Sequence, residues 1–184
     1  MCDIRLFRAA YTDYELAEAI YKIPRNDEAF LNAVAYHLQQ SVEKLLKAFL
    51  ECKGVTVPNT HDIYKLVRMS RDNGSNIVLT EWLEDKADTI TRWETDTRYN
   101  MDYCVEAEKV QQGMEKIKDL FDKNGIKKEL RDELKDEKTK EVLKSFFPKT
   151  FEPEDEFEWN CFYQIYRKKI EKYHDSQSTS QAVG

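Results

Sequence analysis

Leu31, Val34, Leu38, Val42, Leu45 and Phe49 recur at intervals of three and four residues. That spacing places side chains on one stripe of an α-helix. It predicts a helix from about Asn26 or Asp27 to Lys53, which at ~1.5 Å per residue is about 40 Å long. Gly54 supplies a C-terminal stop, and Val55, Val57 and Pro58 read as an extended connector. Shorter helical periods flank this element. Thr12 and Glu15 suit a capping box for a helix over 12–22, with Leu16, Ile20 and Tyr21 on one side and Pro24 ending it. Thr60 reads as the cap of a helix carrying Ile63, Leu66 and Val67 inward, broken by Arg71, Asp72, Asn73 and Gly74. Ile77, Leu79, Trp82, Leu83 and Ile90 predict a helix over 76–93, and the polar run 95–100 a loop. Tyr103, Ala107, Val110, Met114, Ile117 and Phe121 predict another over 102–122, stopped by Asn124 and Gly125. Residues 1–8 carry too little pattern to assign.

Four helices with short connections between residues 27 and 122 are the pattern of an antiparallel bundle. The expected fold is all-α: a four- to five-helix up-down bundle over 1–125 (core 27–122), with a helical C-terminal extension packed on it over 126–175. Within the extension, Lys alternates with Glu and Asp over 127–145, where only Leu130, Leu134, Val142 and Leu143 are apolar, as in a lightly docked, solvated helix. Phe162, Ile165, Tyr166 and Tyr173 predict a last helix over 155–174. The small polar residues of 176–184 predict a disordered tail.

Composition narrows the class. With 184 residues, 41% of them hydrophobic, the chain is long enough to bury a core without disulfides or metals. Five Gly and four Pro are few for the tight turns of a sheet fold. The net charge of −6 argues against tight, non-specific nucleic-acid binding, which depends on neutralising phosphates. Cys2, Cys52, Cys104 and Cys161 are scattered and form no Cys-x-x-Cys pair, so they read as packed thiols of a reducing compartment rather than as a zinc knuckle. No apolar run approaches a membrane span or signal peptide, and the expected location is the cytoplasm. His37, His61 and His174 lie too far apart in the chain to argue a metal site, and no Gly-rich nucleotide loop or other cofactor motif is present.

Chemistry concentrates on the far side of the long helix. By the 100° helical step, Ala29, Ala33, Tyr36, Gln40, Glu43, Lys44 and Lys47 lie opposite the apolar stripe. Such a face is either a solvated helix back or one wall of a polar groove. Small residues at one end admit a neighbouring helix; polar residues at the other bind a ligand or one another. His61 at a helix start either fixes the chain entry or helps hold an anion with Gln40, Lys44 and Arg98.

Order and spacing add a resemblance. Gln40, Glu43, Lys44 and Lys47 on the long helix, Gly54 in the connector, Thr60-His61-Asp62 at the next helix start, and Arg98-Tyr99 before the last bundle helix are similar to the HEPN family over about residues 27–122. Asn100 stands where the family pattern often has Pro. The resemblance implies a helical bundle that commonly dimerises. Its members include partners of nucleotidyltransferases in toxin–antitoxin pairs, ribonucleases, and domains proposed to bind nucleotides. Carried onto this chain, it implies a ligand site of Gln40, Glu43, Lys44, Lys47, His61, Arg98 and Tyr99, a homodimer, a nucleotidyltransferase partner, and a nucleotide or RNA ligand.

The resemblance implies that ribonuclease members use an Arg and a His with about four to six residues between them at the start of the final bundle helix. No His follows Arg98 at that spacing, so the expected module is non-catalytic. Arg167 and His174 have the bare spacing, but in the extension. They make the rival reading, a metal-independent ribonuclease toxin in which Arg holds phosphate and His moves a proton. A purely structural oligomerisation domain is the third. Phe146, Phe147, Phe151, Phe157, Trp159, Phe162 and Tyr163 read either as core or as a partner surface. No Lys or Arg interleaves residues 157–163, which disfavours base stacking along a strand.

Overall fold

A computed structural model describes residues 3–24, 27–100, 103–148 and 151–181; the side chains of Arg98, Tyr99 and residues 177–181 are outside that description. Among the described residues there are seven α-helices and no strand: α1 (Ile4–Tyr21), α2 (Glu28–Cys52), α3 (Ile63–Asp72), α4 (Glu81–Tyr99), α5 (Ala107–Lys123), α6 (Glu137–Lys144) and α7 (Glu156–Gln181), with a 3-10 turn at Asp132–Lys135. The all-α expectation holds. No described helix is long and apolar enough to cross a membrane. The chain divides into two compact units, Met1–Asn124 and Gly125–Gly184.

The first unit is built around α2, which packs against α1, α3, α4 and α5. All six residues of its predicted stripe are buried. The opposite side is covered too, because no position from Leu31 to Leu50 is exposed. Asp27 caps α2 by accepting from the Phe30 amide, and Gly54 beyond its C-terminus takes φ +80°, a conformation that favours glycine. Phe7 of α1 meets Phe49 of α2 edge-on at 5.0 Å, and Tyr14 reaches Phe121 of α5 at 5.5 Å.

Two buried or half-buried amides fasten irregular backbone to helices. Asn32 of α2 donates to the Tyr103 carbonyl (2.8 Å) and accepts from the Val105 amide (3.0 Å). Asn124 accepts from the Val78 amide and donates to the Val78 and Leu120 carbonyls. The Tyr103 and Val78 carbonyls and the Val105 and Val78 amides so satisfied lie outside any helix.

Several boundaries differ from the sequence reading, each for a local reason. α1 begins at Ile4, where Asp3 is the cap; Thr12 lies inside it, and Leu16 and Tyr21 are exposed while Phe7, Ala10, Asp13, Tyr14 and Ala17 face inward. The cap of α3 is Asp62, which accepts from the Lys65 amide, while Thr60, two residues earlier, accepts from the Asp62 amide. α4 is capped by Thr80, starts at Glu81 and runs through the predicted loop to Tyr99. There Thr95 and Thr97 donate to the Thr91 and Trp93 carbonyls one turn back, so the hydroxyls serve the helix rather than break it. α5 starts five residues after the predicted onset, the 103–106 segment being pinned by Asn32. α7 continues to Gln181, into the stretch predicted as disordered tail. Cys104 and Cys161 are not in disulfides, whereas Cys52 is disulfide-bonded, which corrects the expectation of four packed thiols.

In the second unit, buried Asn160 of α7 accepts from the Arg131 amide and donates to the Lys127 and Glu129 carbonyls. The Arg131 guanidinium lies 4.5 Å from the Tyr163 ring centroid. Phe147 packs against Phe151, Trp159, Phe162 and Tyr166, so the aromatic cluster largely satisfies itself within this unit.

Candidate functional site

Because the back of α2 is covered, its polar side chains must find partners inside the protein. They do so in two separate clusters. On the α1 side, the Asp13 carboxylate accepts from the Lys44 ammonium and lies 3.0 Å from His37 Nδ1. On the α3 and α4 side, Glu43 is the hub. Its Oε1 accepts from Lys47 Nζ at 2.7 Å and its Oε2 from Gln39 Nε2 at 2.8 Å. His61 Nδ1 is 3.1 Å from Glu43 Oε2 and 3.4 Å from Glu94 Oε2. The Glu43 and Glu94 side chains are 5% and 9% exposed, that of His61 55%. Gln40 joins this cluster by donating to Gln39 Oε1 at 2.8 Å.

Of the sequence candidates, the fold therefore gathers Gln40, Glu43, Lys47 and His61. It sends Lys44 to the other side of α2. Arg98 and Tyr99 lie on the last turn of α4, and their side chains fall outside the described residues. Three members of these clusters escaped the sequence reading. Asp13 occupies the inward face of α1, hidden when the helix is begun at Thr12. Gln39 is fully buried beside the apolar stripe. Glu94 precedes Arg98 by one helical turn, a relation lost when 95–100 is read as a loop.

A cavity of about 580 Å³ opens along the first half of α2, lined by Asn32, Tyr36, His37, Thr97, Asn100 and Tyr103 among others. Its walls are α2, the end of α4 and the segment that Asn32 pins. It combines two phenol rings, an imidazole and amide groups, a set suited to a planar, hydrogen-bonding ligand. Glu28 is the carboxylate on its rim.

Arg167 and His174 are both on α7, seven residues and so two turns apart on one face. Arg167 is half-buried with its Nε 3.4 Å from Glu171, and His174 is exposed.

The HEPN domain model matches residues 5–129, about two thirds of the chain. The chain belongs to the HEPN family. No curated protein and no solved structure matches it significantly. The match begins inside α1 and so takes in Asp13 as well as the α2 residues that carry the resemblance. Gln40, Glu43, Lys44 and Lys47 of α2 fold into two paired, half-buried to buried clusters.

Proposed function

We propose that this HEPN chain is a non-catalytic module that binds a nucleotide or another phosphate-bearing ligand. HEPN membership points to nucleotide- and RNA-related work, and the cavity beside the end of α4 is the observation that carries the reading here. Tyr36 and Tyr103 offer faces on which a base can stack, worth about 1–3 kcal/mol per base. Arg98 and Tyr99 belong to the α4 turn that borders this cavity and complete the set taken from the family pattern. Gln40, Glu43, Lys44, Lys47 and His61 then support the site by fixing α2 against α1, α3 and α4. The module works as a homodimer in the cytoplasm, with a nucleotidyltransferase as its protein partner.

Titration calorimetry with a panel of nucleoside mono-, di- and triphosphates and a short RNA tests the ligand. Binding by the wild type, weakened at least tenfold in Tyr36→Ala, supports it; no heat at millimolar ligand removes it. A strict monomer by light scattering at micromolar concentration removes the homodimer.

The ribonuclease reading rests on the shared face of Arg167 and His174 on α7. RNA cleavage by the wild type that is abolished in His174→Ala would favour it over the binding module.

A further inference from the structure

We propose that Glu43, His61 and Glu94 form a binding site for a divalent transition-metal ion, with zinc the best fit. The three residues come from α2, the entry to α3, and α4, and their ligand atoms all lie within 4.8 Å of one another. His61 Nδ1 stands 3.1 and 3.4 Å from the two Oε2 atoms. A tetrahedral ion with bonds of about 2.0–2.2 Å holds neighbouring ligand atoms about 3.3–3.6 Å apart. The two His61 separations are close to that geometry, and the two carboxylate oxygens, no more than 4.8 Å apart, would draw together on the ion.

The surroundings of Glu43 fit a ligand role. Lys47 occupies Oε1, which leaves Glu43 to coordinate through Oε2 alone. Gln39, fully buried, donates to Oε2 and fixes the carboxylate plane, as outer-shell partners of metal ligands do. An oxygen with two lone pairs can keep that hydrogen bond and still coordinate. The two carboxylates are nearly sealed while the His61 ring is half exposed, so a bound ion would face solvent on one side and hold water there. One imidazole nitrogen with two carboxylates suits zinc, whereas calcium takes six to eight oxygens and magnesium keeps most of its water. The site lies on the second half of α2, apart from the cavity, and the two readings stand or fall separately.

The test uses the full chain without a histidine tag, dialysed free of metal. Calorimetry with ZnCl2 is expected to give one site per chain, Mg2+ and Ca2+ to give none, and Co2+ to produce visible absorption bands of a low-coordinate site. Glu94→Gln and His61→Ala should each weaken zinc at least tenfold. The His61 ring is half exposed, so His61→Ala decides the matter if Glu94→Gln does not fold. No zinc uptake by the wild type, or uptake that both variants retain, overturns the site and leaves the trio as a hydrogen-bonded clasp.

Discussion

Gly113→Ala is a sharp test of how closely α5 approaches the centre of the bundle. A Cβ at position 113 would lie 2.7 Å from Trp93 Cη2, 3.2 Å from Trp93 Cζ3 and 3.3 Å from Leu38 Cδ1. Comfortable carbon contacts are about 3.5–4.0 Å. Trp93 is 2% exposed and Leu38 fully buried, so neither side chain has free space to retreat into. Alanine gains about 1 kcal/mol over glycine in a helix interior, and overpacking a filled core costs about 1–3 kcal/mol. The expected net is a loss of about 1 kcal/mol, read as a lower urea midpoint at unchanged m-value. Trp93→Phe removes the two ring atoms that collide. In that background Gly113→Ala should become neutral or stabilising, and the reversal of sign is the diagnostic result. An alanine variant as stable as the wild type, with no coupling to position 93, would refute the close approach. Glu94 follows Trp93 on α4, so crowding the ring should also disturb the Glu94–His61 contact.

The remaining predictions concern buried polar groups. Asp13→Ala leaves Lys44 and His37 without their shared carboxylate; because the Lys44 side chain is 30% exposed, the cost should be about 2 kcal/mol in urea unfolding, below the 3–5 kcal/mol of a fully buried pair. Asn32→Ala should release the 103–106 segment, and hydrogen exchange would read this as lost protection of the Val105 amide with the helix cores unchanged. The Tyr14 hydroxyl is pushed well above the ordinary tyrosine value by burial, and next by its hydrogen bond to Glu18. The unfolded chain therefore releases this proton first as pH rises. The Tyr14 contribution to stability is whole below about pH 10 and declines above it, so Tyr14→Phe should flatten the alkaline limb of a stability–pH curve.

The bundle was legible because its signal is redundant. Six apolar positions in α2 repeat one period, and Gly54 marks where it ends. The boundaries that failed lack such redundancy. Thr95 and Thr97 are poor helix formers, yet α4 continues because each hydroxyl bonds the turn behind it and Trp93 anchors the helix in the core. α1 escaped at its start because Phe7 is the one buried α1 position within the first eight residues, too little to show a period. The candidate site was half legible. The spacing on α2 names Glu43, Lys44 and Lys47, but spacing along one helix gives only an angle around its axis. Lys44 and Lys47 differ by 300° of helical rotation, and that 60° gap sends one to Asp13 and the other to Glu43. The partners Asp13 and Glu94 come from helices whose registers the sequence misplaced.

The same geometry sorts ligands by sign along α2. Lys44 and Lys47, the residues a sequence reader would give to phosphate, already hold carboxylates that are almost sealed from water. An anion arriving at Lys47 would either displace Glu43, stranding a buried charge, or sit beside it and beside Glu94 against like-charge repulsion. Either course costs several kcal/mol in a site of low dielectric. A divalent cation entering between Glu43 and Glu94 meets the opposite balance, since two carboxylates face it and the ammonium stays on the far oxygen. The cavity on the first half of α2 has Glu28 as its carboxylate and rings and amides for the rest, so an anionic ligand with a planar group encounters less repulsion there. A phosphate-bearing ligand that bound at full strength to Tyr36→Ala but not to Lys47→Met would reverse this assignment and return the polar stripe to the role its sequence suggests.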